Sequence, residues 1–160
     1  MNMKIDYKNA EQPVGVAPGE YDVTVCAWDV QTSKTGNICI VLDYEVRRDV
    51  DQPYAGSKVR YDNFTWLDSC AWRFSQAAMA AGVPDGYEMQ KPEDFGRVMH
   101  HRNLRITVEQ VERNGKKYAS VKSFAKSQFP LQQPPLPQVP DANGFTSADF
   151  DVSDEGLPFN

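Results

Sequence analysis

The sequence predicts a mainly-β domain followed by a proline-rich linker and an acidic tail. Three observations carry that expectation. Five segments between Glu20 and Phe124 alternate apolar and polar residues with the period of a β-strand. One segment, from Asp68 or Ser69 to about Ala81, has the spacing and the end signals of a helix. From Phe129 onward the chain holds five acids and no lysine or arginine.

Pro18-Gly19 is a turn signal ahead of the first strand, Glu20 to Gln31. There Tyr21, Val23, Val25 and Ala27 share one face, and Thr24, Cys26 and Trp28 share the other. Ser33 to Asn37 is a short polar hairpin loop with a glycine. The second strand, Ile38 to Arg48, sets Ile38, Ile40, Leu42, Tyr44 and Val46 against Asp43, Glu45 and Arg47. The third, Ser57 to Leu67, is rich in aromatic and β-branched residues. It sets Lys58, Arg60, Asp62, Phe64 and Trp66 against Val59, Tyr61, Thr65 and Leu67; either face fits the core, and a bulge would switch them midway.

In the helix, Cys70, Phe74, Ala77, Ala78 and Ala81 fall on one face, and Gly82 and Pro84 end it. Residues 83–97 read as loop, with room for one turn from Pro92 to Phe95. The fourth strand, Val98 to Glu112, alternates Leu104, Ile106 and Val108 with Arg105, Thr107 and Glu109. Asn114-Gly115 is a two-residue hairpin signal. The fifth strand, Lys116 to Phe124, sets Tyr118, Ser120, Lys122 and Phe124 against Ala119, Val121 and Ser123. Three strands, a helix and two strands is the element order of an OB-fold, a five-stranded partly open barrel; small β-sandwiches share the strand count. The domain expected is 1–128, the linker 129–140 and the acidic tail 141–160, whose composition is that of a disordered segment.

The net charge of −5 is unevenly placed. Residues 1–128 hold all 17 Lys and Arg and an equal number of acids, so the tail carries the whole imbalance. An acidic chain therefore does not argue against a polyanionic ligand for the body. Cys26, Cys39 and Cys70 are too widely spaced for a metal knuckle and suit a reducing cytoplasm. No apolar run approaches a membrane span, so a cytoplasmic protein without membrane contact is expected.

Enzymatic signatures are missing: there is no P-loop, no GxSxG and no paired metal ligands on a helix. His100 and His101, adjacent in an expected strand, would point to opposite faces, and Asp43 with Glu45 reads as a solvated pair. Neither catalytic residues, nor a metal, nor a cofactor is expected. The aromatic residues Trp28, Phe64, Trp66, Tyr118 and Phe124 instead lie in strands beside Lys34, Arg47, Lys58, Arg60, Arg105, Lys116, Lys117 and Lys122. Flat rings stack on unpaired bases and cations neutralise phosphates, so these thirteen residues are candidates for contacting single-stranded nucleic acid. The same aromatics equally suit the core of a small barrel. Trp72, on the helix, reads as core or helix surface.

These residues resemble a known family. Pro18-Gly19-Glu20-Tyr21, the Ser33 to Asn37 hairpin, the Ala81-Gly82 helix end and the Asn114-Gly115 turn are similar to small phage single-stranded DNA-binding proteins, the DUF669 family. Asp154-Glu155-Gly156-Leu157-Pro158-Phe159 resembles the acidic tip of bacterial single-stranded DNA-binding proteins. The resemblance covers about residues 3–128 and the tip. It implies an OB-fold that coats single-stranded DNA in phage replication, recombination and repair inside the infected cell. It also implies a tip that recruits phage or host proteins through Asp151, Asp154, Glu155, Leu157, Pro158 and Phe159. Gly156 stands where an acid is common, and Asn160 moves the terminal carboxylate one residue from the ring. A single-strand annealing protein, or an adaptor indifferent to nucleic acid, are the alternatives. A homo-oligomer is compatible with the sequence, which does not define the oligomeric state.

Overall fold

The computed structural model describes residues 3–5 and 16–137. Five strands form one antiparallel sheet in the order β3-β2-β1-β4-β5. They are β1 (Gly19–Thr32), β2 (Ile38–Val46), β3 (Lys58–Thr65), β4 (Asn103–Arg113) and β5 (Lys116–Ala125). The long central β1 pairs with β4 through Gly19 to Thr24 and with β2 through Val23 to Thr32. Its fully buried Val23 and Val25 join Ile40, Leu42, Tyr44 and Val46 of β2 and Leu104 and Ile106 of β4 in one core. The expected Asn114-Gly115 turn is present, and both residues adopt the positive φ that a tight hairpin requires.

Three strands depart from simple alternation, each by one residue. In β1 the pairing shifts between Val25 and Ala27, leaving Cys26 as an extra residue. In β3, Arg60 and Tyr61 together face Asp43 of β2. In β5, Lys122 is extra between the Thr107–Ser123 and Val108–Val121 pairs. A bulge reverses the face of every residue beyond it and increases the local twist. Trp28 therefore lies on the core side, contrary to its expected place opposite Val23 and Val25. Phe124 likewise turns toward the core and no longer shares a face with Lys122.

Two helices cover the sheet where one was expected. A 3-10 turn (Asp68–Cys70) leads into α1 (Ala71–Ala80), which buries Phe74, Ala77 and Ala80. Gly82, at positive φ, follows its end. The supposed loop contains a second helix, α2 (Pro92–Met99). Proline opens its first turn, and the Asp94 carboxylate accepts the amides of Gln90 and Lys91 at 2.9 and 3.1 Å. Phe95, Val98 and Met99 form its buried stripe. The α2 helix also takes residues 98 and 99 from the expected start of β4. His100 and His101 sit in the turn that follows, with their rings stacked at 3.8 Å rather than on opposite faces of a strand.

Phe64, Phe74 and Phe95 join β3, α1 and α2, with ring centroids 4.7 to 5.4 Å apart. On the other side of α2, Gly96 lies against the indole of Trp28.

Residues 129–137, expected as free linker, are held against the body. The Gln133 side chain exchanges two 2.8 Å hydrogen bonds with the backbone of Asn103, as a paired strand would. Arg102, 3% exposed, donates to the carbonyls of Ala81, Val98 and Pro134. Two of those carbonyls close α1 and α2, whose negative dipole ends face the cation. Among the described residues no helix is long and apolar enough to cross a membrane.

Replacing Gly96 by Ala drives a Cβ into the Trp28 ring, well inside van der Waals contact. The substitution is expected to cost about 2 kcal/mol or more, read by urea denaturation. Gln133→Ala should cost about 1–3 kcal/mol, because it strips both partners from the buried Asn103 backbone.

Candidate nucleic-acid interface

The outer edges of β3 and β5 face each other across an open cleft of about 550 Å³. Its walls carry four cations, Lys58, Arg60, Arg73 and Arg113, and two tyrosines, Tyr61 and Tyr118. The sole acid in the lining, Asp62, is buried and already paired. Its carboxylate accepts the Tyr44 hydroxyl at 2.5 Å and the Arg73 guanidinium at 2.7 Å. Burial pushes the Asp62 carboxyl above its usual range, against the opposing pull of Arg73 and Tyr44. Burial also drives the Tyr44 phenol well up, reinforced by the Asp62 charge.

The β3 bulge shapes this cleft. Tyr61 adopts φ 64°, a region that bulky residues rarely enter, and the residue is 72% exposed. The Asp43 carboxylate accepts the Tyr61 amide at 3.0 Å and lies 3.9 Å from Arg60. Asp43 thus fixes the kink that turns Tyr61 outward while Asp62 and Phe64 turn inward. It is a structural anchor rather than half of a solvated acid pair. No sequence pattern marks Tyr61 as exposed, because its position depends on that one extra residue.

The structure sorts the thirteen expected contact residues. Lys58, Arg60 and Tyr118 line the cleft. Lys116 and Lys117 are exposed at the start of β5, beside Arg113 and Asn114 of the cleft wall. Lys122 and Lys34 are exposed outside the lining, the latter on the β1–β2 hairpin. The other six serve the fold. Phe64 is 1% exposed, and Phe124 stacks on it with centroids 5.9 Å apart. Trp66 meets Phe74 edge-on at 5.6 Å, and Trp28 covers Gly96.

Arg47 is buried against Asp49 at 2.6 Å and donates to Ser127 Oγ and the Phe129 carbonyl. Arg105 binds the fully buried Asp22 at 2.7 Å and Glu20 at 3.1 Å. Arg47 and Arg105 are therefore committed to ion pairs, not displayed to a ligand. Conversely Tyr61, Arg73 and Arg113 belong to the cleft without having been expected there. Arg113 follows the last alternating residues of β4, and Arg73 sits on a helix. Trp72, beside it, is exposed on α1. The tail residues Asp151, Asp154, Glu155, Leu157, Pro158 and Phe159 lie outside the described residues.

A family model described as a protein of unknown function (DUF669) matches residues 3–137, and the chain belongs to that family. No curated protein matches the chain.

The raised Asp62 carboxyl has a testable consequence. A carboxyl whose folded value lies above its unfolded one adds stability that is complete below the ordinary value near 3.8 and is lost as pH rises through the folded value. Thermal denaturation of the wild type against Asp62→Asn should therefore show the wild type gaining on the variant as pH falls from neutrality toward that value.

Proposed function

We propose that this DUF669 member binds single-stranded DNA with little sequence preference, using the β3–β5 cleft. The observation that carries this reading is the gathering of exposed Tyr61 and half-buried Tyr118 with Lys58 and Arg113, which form no ion pair among the described residues, in a body whose overall charge is balanced. Tyr61 and Tyr118 offer faces on which unstacked bases can lie. Lys58, Arg60 and Arg113, with Lys116 and Lys117 beside them, meet the phosphates. A duplex keeps its bases stacked and withholds those faces, which favours a single strand.

The sheet is read as an OB-type barrel left open along the β3–β5 seam, a form that suits such a ligand. In a phage-infected cell the protein would coat single strands during replication and recombination. Its acidic tail, through Asp151, Asp154, Glu155, Leu157, Pro158 and Phe159, would recruit partner proteins and compete with DNA for the cleft. No step in this role requires catalysis or a cofactor.

Gel-shift titration with single-stranded DNA, double-stranded DNA and single-stranded RNA at two salt concentrations tests the reading. Single-stranded DNA should bind best and weaken steeply with salt. Tyr61→Ala and Tyr118→Ala should each cost about 1–3 kcal/mol of binding without lowering the melting temperature. Deleting residues 141–160 should tighten binding at low salt, because a tethered anion no longer competes. Absence of binding to all three would favour a protein-interaction adaptor. Accelerated pairing of complementary oligonucleotides would identify an annealing protein instead of a passive coat.

A further inference from the structure

Helix α1 enters the cleft through one side chain. Arg73 donates from Nη2 to Asp62 Oδ1 at 2.7 Å and to the Val121 carbonyl at 3.3 Å. Its Nη1 donates to the Asn63 carbonyl at 3.1 Å. Asp62 and Asn63 belong to β3, and Val121 belongs to β5. The guanidinium carbon lies 4.3 Å from the ring centre of Phe64 and 5.1 Å from that of Phe124, one ring from each strand. No backbone ladder joins β3 to β5. Among the described residues, the hydrogen bonds that cross this seam run through Arg73.

We propose that Arg73 is a positioning residue of the cleft. It ties β3 to β5 and thereby sets the separation at which Tyr61 and Tyr118 receive a single strand. Its charge is answered by Asp62, so it does not act as a phosphate ligand, although it lines the cleft. The role needs the planar fork of arginine, which holds a carboxylate, two carbonyls and two rings at once. A lysine ammonium is a point charge with no plane to lay over the rings. The proposal rests on the reading that the cleft takes single-stranded DNA.

The full-length protein separates the possibilities through Arg73→Lys, Arg73→Gln and, as a comparison, Arg113→Gln. Affinity for oligothymidylate is measured across a salt series. Each lost phosphate contact lowers the slope of log affinity against log salt by about 0.7 for a single strand. Arg113→Gln should show that fall. Arg73→Lys should keep the wild-type slope yet bind about fivefold or more weakly, as expected when part of a base stack is lost. Without ligand, the nuclear Overhauser contact between the Phe64 and Phe124 rings should vanish in Arg73→Lys and persist in Arg113→Gln.

Wild-type affinity in Arg73→Lys, together with a reduced slope in Arg73→Gln, would make Arg73 a phosphate ligand and overturn the proposal. Persistence of the ring contact in Arg73→Lys would overturn it as well. If Arg73→Gln does not fold, Arg73→Lys and the ring contact decide. Loss of the ring contact in a protein whose wild type binds no oligonucleotide would support the seam role and remove the binding reading alone.

Discussion

A five-stranded antiparallel sheet that must bury one face has to coil, and in this protein the coil is set by single extra residues. Cys26 in β1, the Arg60–Tyr61 pair in β3 and Lys122 in β5 each break the pairing register once. Each break adds twist and reverses the faces beyond it. As a result Trp28, Phe64 and Phe124 all turn inward. Phe64 and Phe124, from strands at opposite edges of the sheet, then come within stacking distance. The cleft exists because those edges approach without pairing.

The charged residues divide along the same lines. Buried acids hold arginines in the fold: Asp22 takes Arg105 and Asp62 takes Arg73, while exposed Asp49 takes buried Arg47. Asp22 also accepts Ser127 Oγ and the Gln128 amide at 2.6 and 3.0 Å, so one carboxylate ties the end of the β-sheet region to its centre. Removing one partner of such a pair leaves a buried charge uncompensated, which is strongly destabilising. These acids engage structural arginines, and among the described residues Lys58, Arg113, Lys116 and Lys117, at the cleft and its rim, form no ion pair. A body of zero net charge can thus present a cationic surface.

Much of the fold was legible in the sequence. The five strands, the Asn114-Gly115 turn and the helix ending before Gly82 follow from period, caps and turn residues, all of which are local. The second helix was obscured by Gly96, which weakens helix propensity and is there because the Trp28 ring occupies the space of a side chain. The docking of residues 129–137 was equally hidden, because Gln133 and Pro134 find their partners, Asn103 and Arg102, some thirty residues away. Proline-rich composition describes backbone stiffness and says nothing of what the carbonyls meet.

For the candidate site the division is sharper. The sequence by itself determined the residue types and the strands that carry them: cations and aromatics on β3 and β5, and an acidic excess confined to the tail. Tertiary structure decided which of them face a ligand. A strand's alternation has a period of two, so one inserted residue exchanges core for surface along all that follows. Whether a strand bulges depends on its neighbour, as when Asp43 of β2 holds the Tyr61 amide of β3. That pairing spans eighteen positions and leaves no local pattern. Tyr61 therefore emerged as an exposed cleft residue, and Phe64 as core, only once the two strands were side by side.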